Sequence, residues 1–475
     1  MKKSLTFIIM TLTLLLFLHG CTVGPDYERP KVQIPERWIE KSCQEYQKEP
    51  WVEWWSTFHD PMLNYLITQA IKCNLDLKIA LAKVRYARGL YVATKAPMFP
   101  RIDLSAGAQQ FALSQSFPYL TIDQSYALYD AHFDAIWELD IFGGRKRSIE
   151  SSLANYGSHV EKSRLVLISL ISETARNYIE FRGIQEQLCI MNQMVELQKE
   201  KLFMKQSEEN EALASNVDVA RAKASLADME ANIPGLRTNL LQTENRIALI
   251  LGKLPGSLNC ALSVQHPMPS LPCNIPIGLP STLLLRRPDV RQAERELMEA
   301  TANVGVAVAE YFPKLGLTGS DGQLSQQLKT FANAVNNNSV YGFNISWPLF
   351  SGGHVAGYVK SSEGKHQEAF YNYIKAILTA FQDVENALIA YNDGKTEYML
   401  LQIEVENKHS IYKNMKLIFQ EGLVSYLNVI QAKEDLLTTE NDLLQSRIQL
   451  TNHLILLYKA LGGGWQCTLP VLNHP

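Results

Sequence analysis

The sequence predicts an α+β membrane protein that contains two copies of one structural unit, in which a helix and a β-hairpin precede a pair of long helices. Three observations support this fold class. A helix-to-strand pattern occurs twice, two segments in each copy alternate apolar and polar residues, and long segments carry an apolar residue at every seventh position. The 475 residues have a formal net charge of −3, which offers no electrostatic argument for nucleic-acid binding.

The repeat is clearest where a helix leads into a strand. A shift of 213 positions places Asp76 on Asp289 and Phe99-Pro100 on Phe312-Pro313. Pro288 suits the first turn of a helix, because the N–H that proline lacks would be unpaired there. After each Phe-Pro pair the pattern changes to alternation, which is typical of a strand. The predicted helices that enter the two hairpins cover residues 61–96 and 288–311.

The N-terminus is typical of a targeting segment. Lys2 and Lys3 precede an apolar run over residues 5–18, which is shorter than a bilayer-spanning helix. The run ends in Leu-His-Gly-Cys21, which resembles a bacterial lipobox and would make Cys21 the lipidated residue. An ordinary cleaved signal is the alternative. Thr22 occupies the position after Cys21, where an aspartate would retain the protein at the inner membrane. The outer membrane is therefore the expected location.

No later segment is apolar enough for a transmembrane helix, so a membrane-crossing form would have to be a closed barrel. The predicted organisation is a signal peptide at 1–20, a lipidated extended arm at 21–60, a first repeat at 61–278, a second repeat at 279–461 and a tail at 462–475. The repeats contain hairpins at 101–141 and 314–350, long helix pairs at 145–251 and 354–461, and a loop at 252–278.

The strands show two chemically distinct faces. Over residues 129–141 one face is apolar and the other is largely acidic, and the second hairpin has a similar apolar face. A soluble sheet also alternates in this way. The length of the pattern and its aromatic ends favour a lipid-facing band and a wet lumen that prefers cations. The predicted lipid face contains Phe133, Trp137, Phe343 and Trp347, and the predicted lumen contains Asp130, Asp134, Glu138 and Asp140.

Two hairpins supply only four strands, whereas about eight is the smallest number that encloses filled space. The membrane interpretation therefore requires several chains to contribute strands to one barrel.

The segments after the hairpins predict long helices. Residues 145–206 contain no proline and would form a rod of roughly 90 Å at about 1.5 Å per residue. In the next helix an apolar residue recurs every seven positions from Val219 to Ile247, and a shift of 210 reproduces this pattern from Val429 to Leu457. A seven-residue period indicates a coiled coil. One core-facing helix would also be apolar, but it would not predict the same register 210 residues away. Pro234 should kink or loosen this helix in the first copy only, because Leu444 stands at the matching position of the second copy.

Signatures of enzymes are absent from the sequence. It contains no P-loop, HExxH or GxSxG motif and no Cys/His spacing for zinc. We therefore expect neither catalysis nor a metal or cofactor. Cys260 and Cys273 flank a proline-rich loop and can pair in an oxidising compartment, or they remain isolated thiols.

Several motifs together resemble the outer-membrane factors of tripartite efflux pumps, the TolC-like channels of the lipoprotein (NodT/OprM) branch. The motifs are Cys21-Thr-Val-Gly-Pro-Asp-Tyr27, Arg286-Arg-Pro-Asp289, Tyr311-Phe-Pro313, Pro348-Leu-Phe350 with Gly352-Gly353, and Leu457-Tyr-Lys-Ala-Leu-Gly-Gly-Gly-Trp465. The resemblance covers nearly the whole chain. It implies a homotrimer, a twelve-stranded barrel in outer-membrane lipid and a long periplasmic helical tunnel. It also implies docking to a periplasmic adaptor (membrane fusion) protein and an inner-membrane RND-type pump.

The resemblance also implies where the tunnel closes. The two inter-helix turns form the periplasmic end, and in the family an aspartate of the second turn lines the constriction. This chain has Gln431 at that position, and a neutral amide binds cations less well. The implied gate residues are Leu427, Gln431, Asp218 and Arg221, and the implied adaptor or pump contacts are Ala212, Ser215, Gly422 and Ser425.

The function that follows is passive export through the outer membrane, driven by a partner pump. A polypeptide-secretion channel shares this fold, and a structural coiled-coil lipoprotein without a pore is the alternative from another class. The apolar strand faces favour a channel over a structural rod. Because selection occurs in the pump, the sequence does not identify the cargo.

Overall fold

The structure is a computed structural model that describes residues 22–35, 37–39, 52–112, 125–264, 266–272 and 286–466. The predicted signal peptide, Cys21, Cys273 and the chain after residue 466 lie outside the described residues. The helices are α1 Pro61–Cys73, α2 Leu75–Lys95, α3 Gly144–Asn210, α4 Asn216–Ile250, α5 Asn259–Leu262, α6 Pro288–Ala309, α7 His354–Gln420 and α8 Tyr426–Ala460. The strands are β1 Arg101–Ala112, β2 Ser125–Leu139, β3 Lys314–Ser325 and β4 Asn337–Ser346.

The four strands form one antiparallel sheet in the order β1-β2-β3-β4. In the first hairpin Arg101 pairs with Ile136, and in the second Lys314 pairs with Ser346. The two hairpins therefore have the same register, with shifts of 213 for the first strand and 210 for the second. Since β2 also pairs with β3, the repeats are joined side by side, and β1 and β4 remain as the edges.

The helix that enters the first hairpin is interrupted, which corrects the expectation of one helix over 61–96. Asn74 separates α1 from α2, and its side-chain oxygen accepts a hydrogen bond from the Leu77 N–H at 2.9 Å. Its side-chain amide donates to the Ile250 carbonyl at the end of α4, also at 2.9 Å. An asparagine cap satisfies the exposed amides of a new helix, so the chain restarts here rather than continuing.

The chain divides into two compact units. The sheet unit comprises Met1–Lys31, Lys83–His159 and Gln292–Ile374, and the helical unit comprises Val32–Ala82, Val160–Arg291 and Lys375–Pro475. In the sheet unit, α3 packs on α6. The Asn155 amide donates to Glu299 at 3.0 Å, and the Ser158 hydroxyl donates to Glu296 at 3.2 Å. Burial raises the pKa of the Glu299 carboxyl.

The helical unit has an aromatic core. The rings of Trp54 and Tyr458 stack with centroids 5.1 Å apart, and Phe58 packs edge-on against Trp54. The segment Trp54–Phe58 is a short 3-10 helix, so this end of the predicted arm is folded rather than extended. Burial of the ring raises the pKa of Tyr458 to about 12.

The apolar seams of the long helices are buried most completely in the second copy. Val429, Leu436 and Leu450 are buried on α8, as are Ile430 and Leu437 of its second seam. Helix α4 continues through Pro234, whose side chain is exposed, whereas Leu444 at the matching position of α8 is buried. The residue at this place in α8 packs into a buried seam, whereas in α4 it is exposed, so a proline in α4 removes a backbone hydrogen bond but no core side chain.

Candidate functional site

The two turns between the long helices have the same backbone design. In the first, Ala212 adopts a left-handed conformation with φ +61°, and in the second Gly422 does so with φ +78°. The Leu213 N–H donates to the Glu208 carbonyl at 2.8 Å, and the Leu423 N–H donates to the Ile418 carbonyl at 3.1 Å. These bonds close a Schellman motif, which satisfies the last carbonyls of each helix.

An exposed leucine follows the left-handed residue in both turns. Leu213 is 75% exposed and Leu423 is 71% exposed, and they are 210 positions apart. The two turns therefore present the same apolar side chain at equivalent places on the chain.

The helices after the turns begin differently. Ser215 and Asp218 form a reciprocal capping box at the start of α4, with the Asp218 N–H 3.3 Å from the Ser215 hydroxyl oxygen. Hydrogen bonds from the Ser215 side chain and backbone lower the pKa of the Asp218 carboxyl. Ser425 occupies the equivalent position before α8 but makes no side-chain cap, and Asn428 replaces the aspartate. Only the first turn therefore carries a charge-dependent cap.

The predicted gate residues lie on the first turns of the two helices. Gln431 is exposed, and its amide donates to the Asp435 carboxylate at 2.9 Å. Arg221 is the counterpart of Gln431 by the 210 shift, and its guanidinium lies 3.9 Å from Asp218. Leu427 is half-buried. Asp435 is thus the acidic group beside the predicted constriction. It lies one helical turn beyond Gln431, the position that the family resemblance implies.

Two contacts that the sequence did not predict hold the start of α8 against α3. The Tyr426 hydroxyl donates to the Glu200 carboxylate at 2.8 Å, which raises the pKa of Tyr426. The Lys201 ammonium lies 2.9 Å from Glu434. Each pair joins residues more than 220 positions apart. No local sequence signal could have identified them.

The polar face of β2 carries a charged cluster. The His132 ring lies between two carboxylates, with Nε2 3.0 Å from Asp134 and Nδ1 3.5 Å from Asp130. The hydroxyl of Ser105 on β1 donates to Asp134 at 3.2 Å. Glu138 forms a salt bridge with Arg145 at 2.8 Å. Three of the predicted lumen acids therefore share one face of the sheet, and each lies within 3.5 Å of a basic side chain.

Asp140 has a different role from the predicted one. Strand β2 ends at Leu139, and the Asp140 carboxylate accepts hydrogen bonds from the backbone N–H groups of Arg145 and Lys146. This corrects the expectation that Asp140 extends the acidic face of the strand. A carboxylate at this place stabilises the start of α3, whose first amides lack partners within the helix.

The predicted lipid face is apolar over most of its length. Phe133 and Phe343 are exposed, and Trp347 lies one residue beyond the end of β4 rather than within it. Asp321 lies opposite Phe133 in the β2–β3 pair, and it accepts a hydrogen bond from the Ser339 hydroxyl. The sequence analysis missed this acid, although its place in the alternation of β3 could have identified it.

The N-terminal segment of the sheet unit is anchored close to Cys21. The nearly buried Arg147 side chain donates to the carbonyls of Val23 and Gly24 and forms a salt bridge with Asp26 at 2.6 Å. Gly24 has φ +85°, and a Cβ there would lie 2.4 Å from the Cα of Gly305. The chain that follows the predicted lipidation site is therefore clamped to α3 and α6.

Among the described residues, no group of three or more His, Cys, Asp or Glu side chains is arranged to hold a metal ion. Within the same ranges, no helix combines the length and apolar character needed to cross a membrane.

These features define a class of protein, the repeated hairpin-and-long-helix chains of outer-membrane channels, and the comparisons with known proteins assign the family. A family model described as "Outer membrane efflux protein" matches residues 66–253 and 279–463, so the chain belongs to that family. The solvent efflux pump outer membrane protein SrpC of Pseudomonas putida is 30% identical over 95% of this chain and 97% of its own length. The cation efflux system protein CusC of Escherichia coli O6:H1 is 29% identical over 95% and 97%.

A solved structure of the outer-membrane channel OprN has a TM-score of 0.86 and 31% identity, with coverage of 94% of this chain and all of that one. The predicted fold class is confirmed: the chain has the fold of trimeric outer-membrane channels, with a four-stranded sheet per chain and long helices. It is an outer-membrane channel of an efflux system and extends into the periplasm. Members of the family are channels rather than enzymes.

Proposed function

We propose that this chain is the exit duct of a tripartite pump, in which a periplasmic adaptor and an inner-membrane RND-type pump deliver small molecules to it. The duct itself is passive and performs no catalysis. The observation that carries the proposal is the repeated turn, in which Leu213 and Leu423 are presented on matching Schellman motifs. Two matching apolar tips give a partner protein the same point of contact on both turns.

The turns are the adaptor-contact sites in this proposal. Ala212 and Gly422 set the left-handed backbone that turns the leucines outward, and Ser215 and Ser425 end the turns. Adaptor contact would bury the leucines and leave the capped backbone unchanged. Both turns contribute, so that a trimer offers six contacts, three from the first turn and three from the second.

The gate in this proposal is the start of α8, where Leu427 and Gln431 lie. Tyr426 and Glu434 attach it to α3 through Glu200 and Lys201. Opening requires these two contacts to break, because they restrain the same helical segment. Asp218 and Arg221 hold the corresponding place on α4, where the capping box makes the turn more rigid. The second-copy helix pair therefore moves more than the first, and a crosslink at Leu427 blocks export.

Cys21 carries the lipid anchor in this proposal. The adjacent Thr22 hydroxyl accepts a hydrogen bond from Lys146, and the clamp around Arg147 fixes the following residues. Labelling with a fatty-acid analogue should be lost in a Cys21→Ala variant that still reaches the outer membrane.

The export experiment uses Leu213→Ser and Leu423→Ser in a strain that lacks the native protein. The variants should restore export poorly, although they form trimers and conduct ions in planar bilayers as the wild type does. Leu254→Ser is the matched control, because Leu254 is 81% exposed but lies outside both turns. Full export by the double turn variant would contradict the proposal. A panel of solvents, drugs and metal ions in the same strains identifies the cargo class.

A further inference from the structure

A cavity of about 490 Å³ lies within the helical unit, where α3, the start of α6, α7 and the end of α8 enclose it. None of its lining residues belongs to either inter-helix turn, so it is separate from the site described above. Pockets of about 300–1,000 Å³ are the usual size for small organic ligands. The cavity is therefore large enough for a ligand of that kind.

Most of the cavity wall is apolar. It consists of leucine, isoleucine and alanine side chains of α3, α7 and α8, namely Leu165, Ile168, Ala387, Ala390 and Leu456. All of these except Ile168 are only half-buried. Leu456 lies two positions before Tyr458, which is about 200° around the helix axis. The cavity is thus on the opposite side of α8 from the aromatic core, in which Tyr458 stacks on Trp54.

The two acids that line the cavity are already paired with the buried Arg287. Its guanidinium donates to both carboxylate oxygens of Asp289, and it donates to Asp383 at 2.8 Å. Its remaining N–H groups donate to the carbonyls of Ala380 and Ala460. All five donors of this arginine are therefore used within the protein, and none is left for a ligand.

Lys459 is the charge in the cavity that lacks a counter-ion. Its side chain is half-buried at the end of α8, and it forms no salt bridge within the described part of the chain. An ammonium group beside an apolar wall is screened less than one in bulk water, so it interacts more strongly with an anion. The charge complement of this wall is therefore a single negative group.

His453 supplies a second donor to the cavity. Its Nδ1 atom is buried without a hydrogen-bond partner, and a Cβ at Gly394 would lie 3.2 Å from it. A buried N–H group without an acceptor is rarer than an acceptor without a donor. In the neutral ring the hydrogen is therefore on Nε2, which leaves an Nε2–H donor for a ligand.

We propose that this cavity binds an amphiphilic organic anion. A carboxylate or sulfonate lies near Lys459, with His453 as a second donor, and an apolar body covers the half-buried side chains of α3, α7 and α8. A small molecule fits better than a chain segment, because the N–H and C=O groups of a segment would find few partners on the apolar wall. That the anion is a cargo of the duct rests on the proposed function, whereas the binding itself does not.

Binding is measured by equilibrium dialysis of the full-length protein in lipid nanodiscs against two fluorescent probes. Anilinonaphthalene sulfonate is an anion, and phenylnaphthylamine has the same rings without the sulfonate. Empty nanodiscs provide the background, because both probes enter lipid. The wild type should bind the sulfonate about tenfold more tightly than the neutral amine, since hydrogen bonds to charged groups are the stronger ones. Equal affinity for both probes would overturn the assignment of an anion.

The variants separate the charge from the apolar wall. Lys459→Gln should lower the affinity for the sulfonate about tenfold and leave that for the neutral amine within about twofold. Leu456→Ser should weaken the binding of both probes. Lys395→Gln is the matched control, because Lys395 is exposed on α7 but does not line the cavity. Equal losses in the two lysine variants would overturn the proposal.

A second measurement reports on the folded protein directly. A ligand that binds only the folded state stabilises it, so saturating sulfonate should raise the temperature at which the wild-type trimer dissociates. The rise should be much smaller in Lys459→Gln, whose dissociation temperature without the probe should match that of Lys395→Gln. No saturable binding to the wild type would mean that protein chain fills the cavity, and it would overturn the proposal.

The role in export is tested in cells. Lys459→Gln should reduce the export of anionic amphiphiles and leave the export of neutral solvents unchanged. Lost binding with unchanged export of anions would overturn the cargo role. Failure of the wild type to export any compound would count against the proposed function alone, because binding to the purified protein needs no pump.

Discussion

The indole N–H of Trp137 donates a hydrogen bond to the main-chain carbonyl of Met98 at 3.1 Å, where the chain leaves α2 for β1. The second repeat contains the same contact between Trp347 and the Tyr311 carbonyl at 3.0 Å. The donors are 210 positions apart and the acceptors are 213 apart, which are the shifts of the hairpin register. The two tryptophans therefore tie the end of each hairpin to the segment that joins the preceding helix to its first strand.

Removal of the indole donor should loosen each hairpin end to a similar degree. Trp137→Phe and Trp347→Phe keep an aromatic ring but lose the N–H, at a cost of about 1 kcal/mol for one net hydrogen bond. The temperature of trimer dissociation in detergent should fall for both. The double variant should show the sum, because the two contacts have no residue in common. A loss confined to one repeat would contradict their equivalence.

The stability of the first turn should depend on pH, and the stability of the second should not. Hydrogen bonds from Ser215 lower the folded-state pKa of Asp218, so the capping box stabilises the turn above the unfolded-state pKa of about 3.9. This contribution is lost as the pH falls through the lowered pKa. Amide hydrogen exchange at residues 211–218, corrected for its intrinsic pH dependence, should report more opening in acid. Asp218→Asn should abolish the change, and residues 421–428, with Asn428, serve as the internal control.

The arm should detach when Gly24 receives a side chain. A left-handed conformation costs a non-glycine residue about 1–2 kcal/mol, and the added Cβ would overlap Gly305. We expect Gly24→Ala to expose residues 22–31 to protease while the trimer persists. Gly256→Ala is the matched control, because Gly256 also has positive φ but its Cβ would meet no atom closer than 3.8 Å. Equal protease resistance in both variants would show that the close approach is not required.

Restoration of an acid at the predicted constriction should increase cation preference. Gln431→Asp adds a carboxylate beside Asp435, at a helix cost of about 0.2–0.5 kcal/mol from like charges one turn apart. Reversal potentials in a salt gradient should shift towards cation selectivity. Gln445→Asp, farther along α8, is the control for added charge. An unchanged reversal potential would place Gln431 away from the narrowest point.

The acidic face of β2 should also favour cations. Asp130→Asn and Asp134→Asn remove the carboxylates on either side of His132, so the cation selectivity of single channels should fall. Asp321→Asn is the informative control, because Asp321 lies on the opposite face of the sheet. An anion preference in the wild-type channel would contradict the lumen assignment.

Much of the architecture could be predicted because it follows from local periodicity. Alternation over residues 129–141 indicated β2, and the seven-residue period from Val429 indicated the seam of α8 that the structure buries. The candidate site was harder to predict from the sequence. The left-handed Ala212 could not be inferred, since alanine rarely adopts that conformation. The Schellman motif requires a left-handed residue at this place, and in the other turn Gly422 supplies it.

The sequence by itself determined the two-fold repeat, the four strands, the long helices and, through its motifs, the family. These depend on the spacing of residue types along the chain, which a single sequence displays. Only the tertiary structure decided that Asp140 caps a helix, that Asn74 ends one helix and starts another, and that Tyr426 bonds to Glu200. Each of these outcomes depends on which polar group finds a partner, and for Asn74 and Tyr426 that partner is distant in the chain and comes into reach only after the helices pack.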